Sequence, residues 1–243
     1  MTGKNLNIAA AERLCLTCRI AAWETEALRE NTMANLQGRI ITIGVTGASG
    51  AVFAQKTLAL LEDDARVSKV HLVVTETGQR LFSEELGITS GDLKKLPGRI
   101  LGRTSKKVET VSNKDVGAAI ASGSYSVDAM IVIPCTMGCL ASIATAMSDD
   151  LVARAADVTL KEGRKLVLCV RDTPFNRIHL ENMLRAQQAG AVIMPVMPAF
   201  YFKPKSIDEM VTQYVCRVLA QAGLPQEKMY RWSGSATGRK AES

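Results

Sequence analysis

Gly44, Gly47 and Gly50 punctuate a corner between an apolar run and an amphipathic one. The corner is built like a nucleotide-binding turn, but its spacing is not the G-x-G-x-x-G of a dinucleotide fold. Gly47 and Gly50 leave room for a ligand to touch the backbone. The helix after the corner aims free N–H groups at that space, where its dipole favours negative charge. Ala48 keeps the corner small and Ser49 adds a hydroxyl. Alone, the corner reads equally well as a tight strand–helix turn with nothing bound. Thr136-Met137-Gly138-Cys139 opens a second helix in the same way, and two such starts point to a bound anion.

Four cations stand where solvated charge is not expected. Arg154 and Lys161 are seven residues apart and so lie near one face of a helix. Ala155, Ala156, Val158 and Leu160 surround them, so that helix is mostly buried and its cations need partners. Arg171 follows directly on a buried strand, and Arg217 interrupts the apolar run Tyr214–Ala220. His71 lies inside a strand pattern. His179 opens the run "HLENML" and reads as a helix-start residue. Neither histidine has a second His or Cys at ligand spacing, so no metal site is expected, and neither has the partners of a hydrolytic triad. Cys135, Cys139, Cys169 and Cys216 fall in or beside apolar stretches, as free thiols do in a reducing compartment. Cys15 and Cys18 have no second pair nearby and read as two ordinary thiols.

The elements that must position these groups alternate along the chain. Strands are expected at Ile40–Val45, Val70–Thr75, Ala129–Ile133, Leu166–Val170 and Ala191–Met194. Helices are expected at Ala48–Leu61, Glu76–Leu86, 138–147, 149–163, Asn176–Ala189 and Ser206–Ala222, and residues 87–105 read as loop. This is an α/β pattern: a Rossmann-like (flavodoxin-like) three-layer parallel sheet with helices on both faces. Residues 1–38 carry balanced charge and read as a weakly ordered N-terminal extension, or translation starts at Met33. Residues 39–224 form the domain. Residues 225–243 form a polar tail in which Tyr230 and Trp232 could dock on a neighbour. Ligands of such sheets bind beyond the carboxyl ends of the strands. There the sequence places Thr46 to Gly50, Thr75, Pro134 to Cys139, Arg171 to Pro174, and Pro198 to Tyr201, a rim of small residues, hydroxyls, a guanidinium and a phenol.

Bulk composition narrows the field. With 243 residues, one core is the default. No apolar run approaches the ~18 residues of a membrane span, so a soluble cytoplasmic protein is expected. The net charge of +6 permits a nucleic-acid partner, but the cations are scattered and aromatics are only 5%, too few for a base-stacking surface. Phosphate ligands account for the charge equally well.

Five blocks carry a resemblance: "VTGASGAVFA", "IASGSYSVDAMIVIPCTMGCLASIA", "RAADVTLKEGRKLVLCVRDTP", "HLENML" and "GAVIMPVMPAFYFKP". Together they resemble the UbiX/Pad1 family of flavin prenyltransferases, from about Arg39 to Trp232. The resemblance implies binding of FMN and dimethylallyl phosphate, and metal-independent transfer of the prenyl group to flavin N5 and C6. The product would be prenylated FMN for UbiD-type decarboxylases, made by a homododecamer with sites shared between subunits. It implies that Gly47, Ala48, Ser49, Thr75, Thr136, Met137, Gly138, Cys139 and Arg171 hold FMN. Lys161, Tyr201 and Arg217 would grip the donor phosphate, and Ser49, Glu85 and Asp172 would be catalytic. Thr75, Cys139 and Asp172 stand where the family commonly has serine, threonine and glutamate. Val116 stands at a position that is tryptophan in some members. Two other readings are an FMN-dependent cysteine decarboxylase-like flavoprotein and a non-catalytic FMN-binding subunit of a decarboxylase complex. The first lacks its early histidine and its P-x-M-N motif here.

Overall fold

Runs rich in valine and isoleucine set the strands. The computed structural model describes residues 38–89 and 91–231. In them, six such runs become β1 (Arg39–Val45), β2 (Val67–Val74), β3 (Val108–Ser112), β4 (Ala129–Cys135), β5 (Lys165–Val170) and β6 (Val192–Ile193). Burial along β1, β4 and β5 is continuous rather than alternating, as a parallel sheet covered on both faces demands. The described helices are α1 (Ala51–Asp63), α2 (Glu76–Leu86), α3 (Leu96–Leu101), α4 (Met137–Ala144), α5 (Leu151–Lys161), α6 (Arg177–Gln188) and α7 (Ile207–Gln221).

Side-chain caps fix where most helices begin. Thr75 caps α2, Thr136 caps α4, Asp150 caps α5, Asn176 caps α6 and Ser206 caps α7, each accepting a backbone N–H of the first turn. His179 completes a capping box with Asn176, which bears out its reading as a helix-start residue.

The strand order is β3-β2-β1-β4-β5-β6. The chain winds outward from β1 in one direction, then returns to β4 and winds in the other. The order reverses between β1 and β4, which pair in parallel from Ile41↔Ala129 to Gly44↔Val132. At such a reversal the two flanking connections leave on opposite faces and open a crevice at the carboxyl edge. One helical layer packs α1, α2, α3 and α7 on the face that presents Ile41, Ile43, Leu72 and Ile131. The other packs α4, α5 and α6 on the face that presents Val73, Met130, Val132 and Leu168. The expected three-layer Rossmann-like sheet is what forms.

Two stretches differ from expectation. Residues 87–105 are not all loop, because Leu96–Leu101 is helical with Pro97 in the first turn, where a missing N–H costs nothing. The strand Val108–Ser112 escapes the sequence reading because it is short, lies at the sheet edge and buries only Val108 fully. The expected weakly ordered arm up to residue 37, the alternative start at Met33, the Cys15–Cys18 pair and Trp232 fall outside the described residues. The start of the tail is not loose: Arg66 Nη2 donates to Pro225 O at 3.0 Å, and Gln226 Nε2 donates to Asp64 Oδ2 at 3.0 Å.

His71 on β2 is the buried titratable group that pairs least well. Its Nε2 meets the Tyr125 hydroxyl at 2.9 Å, while its Nδ1 is buried without a partner. Burial, with help from the Lys69 charge, pushes its pKa below the ordinary histidine value, against a smaller opposing pull from Glu109. The neutral form is therefore the folded form. The unfolded chain takes up the proton first as pH falls, so stability is full above about pH 6.5 and declines below it. Urea unfolding between pH 7.5 and 5 should show this decline, and His71→Leu should flatten it. An unchanged pH slope in the variant would remove His71 from the account.

Candidate functional site

The carboxyl edge is stitched together by one hydroxyl. Thr46, the first residue after β1, is buried. Its Oγ1 donates to Pro134 O at 2.8 Å and accepts the Thr136 N–H at 2.8 Å. Its own N–H also reaches Pro134 O, at 3.2 Å. These bonds tie the end of β1 to the end of β4 across the reversal, and they set the start of α4.

Next to this clamp the backbone comes very close to α2. A Cβ on Gly47 would stand 2.4 Å from Thr77 Cβ and 2.6 Å from its Oγ1, which leaves room for glycine alone. Gly50 has φ 126°, a region that suits glycine. The two glycines of the corner thus serve the turn itself as well as any ligand.

Beyond the clamp lies a cleft of about 790 Å³, within the usual range for small-molecule sites. Two helix starts open on it, Thr75 to Thr77 of α2 and Thr136 to Cys139 of α4, while the start of α5 is taken by the carboxylate of Asp150. Each start carries partial positive charge and backbone N–H groups with no partner inside the helix. Open space lies over Gly138. Lys114 adds a cation at the rim, where it pairs with Glu76 at 2.7 Å. The cleft is suited to a phosphorylated ligand.

The start of α1 is already satisfied. The Glu85 carboxylate accepts the Gly50 N–H at 3.0 Å and the Ala51 N–H at 2.8 Å. Burial works to raise the Glu85 pKa, but the Ser49 hydroxyl, the two N–H groups and the Arg171 charge outweigh it and hold the carboxyl below the ordinary glutamate value. Ser49, Glu85 and Arg171 therefore form one coupled group at the carboxyl edge. Asp172 follows Arg171 and accepts the Thr173 N–H at 2.8 Å. Cys135 and Cys169 lie beneath the rim as buried thiols. The Cys139 contact and burial raise the first well above the ordinary value, and burial pushes the second up to about 12.

A second pocket, of about 160 Å³, opens after β6. Met194, Pro195 and Met197 give it an apolar wall, while Tyr201 and Arg217 give it a phenol and a guanidinium. Tyr201 and Arg217 are thus brought together, as the sequence suggested. Lys161 is not brought to them. It ends α5 on the opposite face of the sheet and pairs with Glu162 at 2.5 Å, next to Gly123. That places it at the amino edge of β4 and β5. A seven-residue strand such as β4 separates the two edges by roughly 20 Å. Arg154 finds its partners on its own chain, at Ala121 O and Asp157 Oδ2, both 3.2 Å away.

Sequence reasoning named Thr75, Thr136, Gly138 and Cys139 on the cleft, and Gly47, Ala48 and Met137 beside it. It missed Asn113, Lys114 and Asp150. Asn113 takes part through two bonds: its Nδ2 donates to Asp150 Oδ2 at 3.0 Å, and its Oδ1 accepts the Val152 N–H at 3.1 Å. The β-branched content of Val108, Thr110 and Val111 was the available signal, weak as it is, since it places Asn113 at a strand end. Among the described residues no cluster of three or more His, Cys, Asp or Glu could hold a metal ion, and no helix is long and apolar enough to cross a membrane.

Comparison with known proteins agrees with this geometry. A flavoprotein family model matches residues 29–217. The flavin prenyltransferase UbiX of Halalkalibacterium halodurans is 44% identical over 193 residues, covering 79% of this chain and 93% of that protein. The crystal structure of AnUbiX (PadA1) in complex with FMN and dimethylallyl pyrophosphate superposes with a TM-score of 0.73 at 38% identity, covering 82% of this chain and 99% of that one. A dodecameric FMN-dependent UbiX-like decarboxylase from Escherichia coli O157:H7 gives a TM-score of 0.72 at 39% identity, covering 80% of this chain and all of that one.

The clamp makes a direct prediction. Thr46→Val keeps the shape but leaves the part-buried Thr136 N–H without its partner, at a cost of about 1 kcal/mol. Urea unfolding should show that loss, and Thr46→Ser should recover most of it. Equal stability of the valine and serine variants would show that the hydroxyl does not hold the edge.

Proposed function

The chain belongs to the UbiX/Pad1 family of flavin prenyltransferases, and from that premise we propose how its own residues carry out the reaction. It is an enzyme that transfers a dimethylallyl group to reduced FMN. The observation that carries the residue assignment is the existence of two differently built pockets at one sheet edge. The cleft at the reversal has the size and the converging helix starts for a flavin phosphate. The pocket of about 160 Å³ is too small for a flavin but suits a branched five-carbon chain on a phosphate. A protein that only stores FMN has no use for the second, and a cysteine decarboxylase would need a histidine after an early strand, whereas here His71 lies inside β2 and His179 caps α6.

In this reading Thr75, Thr136, Met137, Gly138 and Cys139 hold the FMN phosphate, and Gly47, Ala48, Ser49 and Arg171 lie along the rest of the molecule. Reduced FMN supplies the nucleophilic N5 and C6 that become bonded to the prenyl group. The protein's task is to stabilise the departing phosphate. Tyr201 and Arg217 are placed before the reaction where negative charge grows, so little reorganisation is needed as the C–O bond breaks. The apolar wall of Met194, Pro195 and Met197 keeps water from the allylic carbon. Glu85, ionised at neutral pH and bonded to Ser49, is set to receive a proton through the Ser49 hydroxyl. Asp172 lies next in the chain to Arg171 and serves a second proton transfer.

Lys161 enters the same site from another copy of the chain. Its distance from Tyr201 and Arg217 within one chain supports this, as do the exposed side chains of Ile178, Leu180 and Leu184 on α6 and of Phe200 and Ile207. A homododecamer like that of the E. coli relative would bring Lys161 of one subunit to the donor pocket of the next. We further propose dimethylallyl phosphate as the donor, a UbiD-type decarboxylase as the consumer of the product, and the cytoplasm as the place of work.

The test is mass spectrometry of the flavin after incubation with dimethylallyl phosphate under reducing conditions. The expected product is heavier than FMN in the same redox state by one C5H8 unit; unchanged flavin would refute the proposal. Arg217→Ala should keep FMN binding while slowing product formation on the order of 100- to 1000-fold. Loss of FMN binding by that variant would mean that the two phosphate sites are assigned the wrong way round.

A further inference from the structure

The donor pocket has a wall supplied by the C-terminal segment. Gln213 on α7 holds that segment with both ends of its amide: Nε2 donates to Lys228 O at 2.8 Å, and Oε1 accepts the Tyr230 N–H at 2.7 Å. Earlier in the segment, the bonds from Arg66 to Pro225 and from Gln226 to Asp64 pin its start. Residues 225–230 are thus a strap fixed at both ends.

The strap delivers one ring. Tyr230 lies 5.5 Å from Tyr201 and 6.0 Å from Phe202, centroid to centroid, and Tyr201 and Phe202 are themselves 6.0 Å apart. The Tyr201–Phe202 pair is edge-on at 83°, an arrangement that ring quadrupoles favour, and Tyr230 meets both rings at tilted angles of 53° and 36°. The three rings close a triangle beside Arg217, which comes four residues after Gln213 and so stands on the same helix face. Tyr201 is 51% exposed on a loop. A half-exposed ring on a loop has several rotamers open to it, and restricting them costs entropy when a ligand binds. Ring contacts made beforehand remove part of that cost.

We propose that Tyr230, held by Gln213, is a positioning residue for the prenyl donor. It fixes the Tyr201 ring so that its hydroxyl stands beside Arg217 at the donor phosphate, and it closes the pocket around the short branched chain. The inference rests on the reading of this pocket as the donor site. It predicts an effect on the donor and not on the flavin, since Tyr230 is no part of the cleft that takes FMN.

Initial rates measured with saturating reduced FMN and varied dimethylallyl phosphate test it. Tyr230→Ala should raise the donor KM on the order of tenfold, with a smaller fall in kcat. FMN affinity, measured by fluorescence titration, should stay within about twofold. Gln213→Ala removes no ring but cuts both bonds that hold Tyr230 in place, and should raise KM in the same way. Tyr230→Phe keeps the ring and should restore the wild-type KM. An unaltered KM in Tyr230→Ala, with wild-type protein active, overturns this inference alone. So does a KM rise that comes with an equal loss of FMN affinity and is not rescued by phenylalanine, since that is the mark of a merely structural role. A wild-type protein that makes no product overturns the donor reading and this inference with it.

Discussion

The hydroxyl of Thr46 joins the two halves of the sheet at the point where they diverge. A doubly wound sheet gains its crevice because the connections after β1 and β4 leave on opposite faces, and the same divergence threatens to splay the edge apart. Thr46 answers this with a donated bond to Pro134 O and an accepted bond from Thr136 N–H, both 2.8 Å, the first buried and the second part-buried at the cleft. In that setting each bond resists loss, because breaking it leaves a polar group unpaired. Three features depend on this clamp: the start of α4, the mouth of the cleft, and the approach of the Gly47 backbone to Thr77.

Around that clamp lie two pockets of different build, and the proposed function gives each its own anion. Helix starts would serve the larger ligand, since backbone N–H groups need no side-chain entropy to be ordered. Side chains would serve the smaller one, where negative charge grows as a bond breaks. Glu85 keeps these apart. By occupying the start of α1 it removes a third anion site and leaves an ionised carboxylate next to Ser49. A glutamine there would keep part of the hydrogen bonding but could not receive a proton.

Much of this was legible in the sequence, and the part that was not has a physical cause. The strands Ile40–Val45 and Leu166–Val170 announced themselves because buried parallel strands are continuous apolar runs. The capping residues Thr75 and Thr136 were visible as hydroxyls directly before helices. Thr46 stood in plain view after the first strand, yet nothing local says that its partners lie 88 and 90 residues away. Edge strand β3 is half-exposed and carries little apolar signal, so Asn113 stayed hidden with it. Lys161 shows a different limit. Its residue type and its block suggested a phosphate ligand, but only the fold shows that it stands at the wrong edge to serve its own chain's pocket. The rings of Tyr201, Phe202 and Tyr230 meet only because Gln213 draws the strap back along α7.

The central claim, that one site draws Lys161 from one copy and Arg217 from another, has a direct measurement. Lys161→Ala and Arg217→Ala chains, each inactive alone, are co-expressed so that they assemble together, and prenylated flavin is counted per enzyme subunit. Shared sites predict that activity returns in the mixed assemblies, because some pockets receive both intact side chains. A mixture as inactive as either parent would contradict the account and would require Lys161 to act within its own chain or not at all.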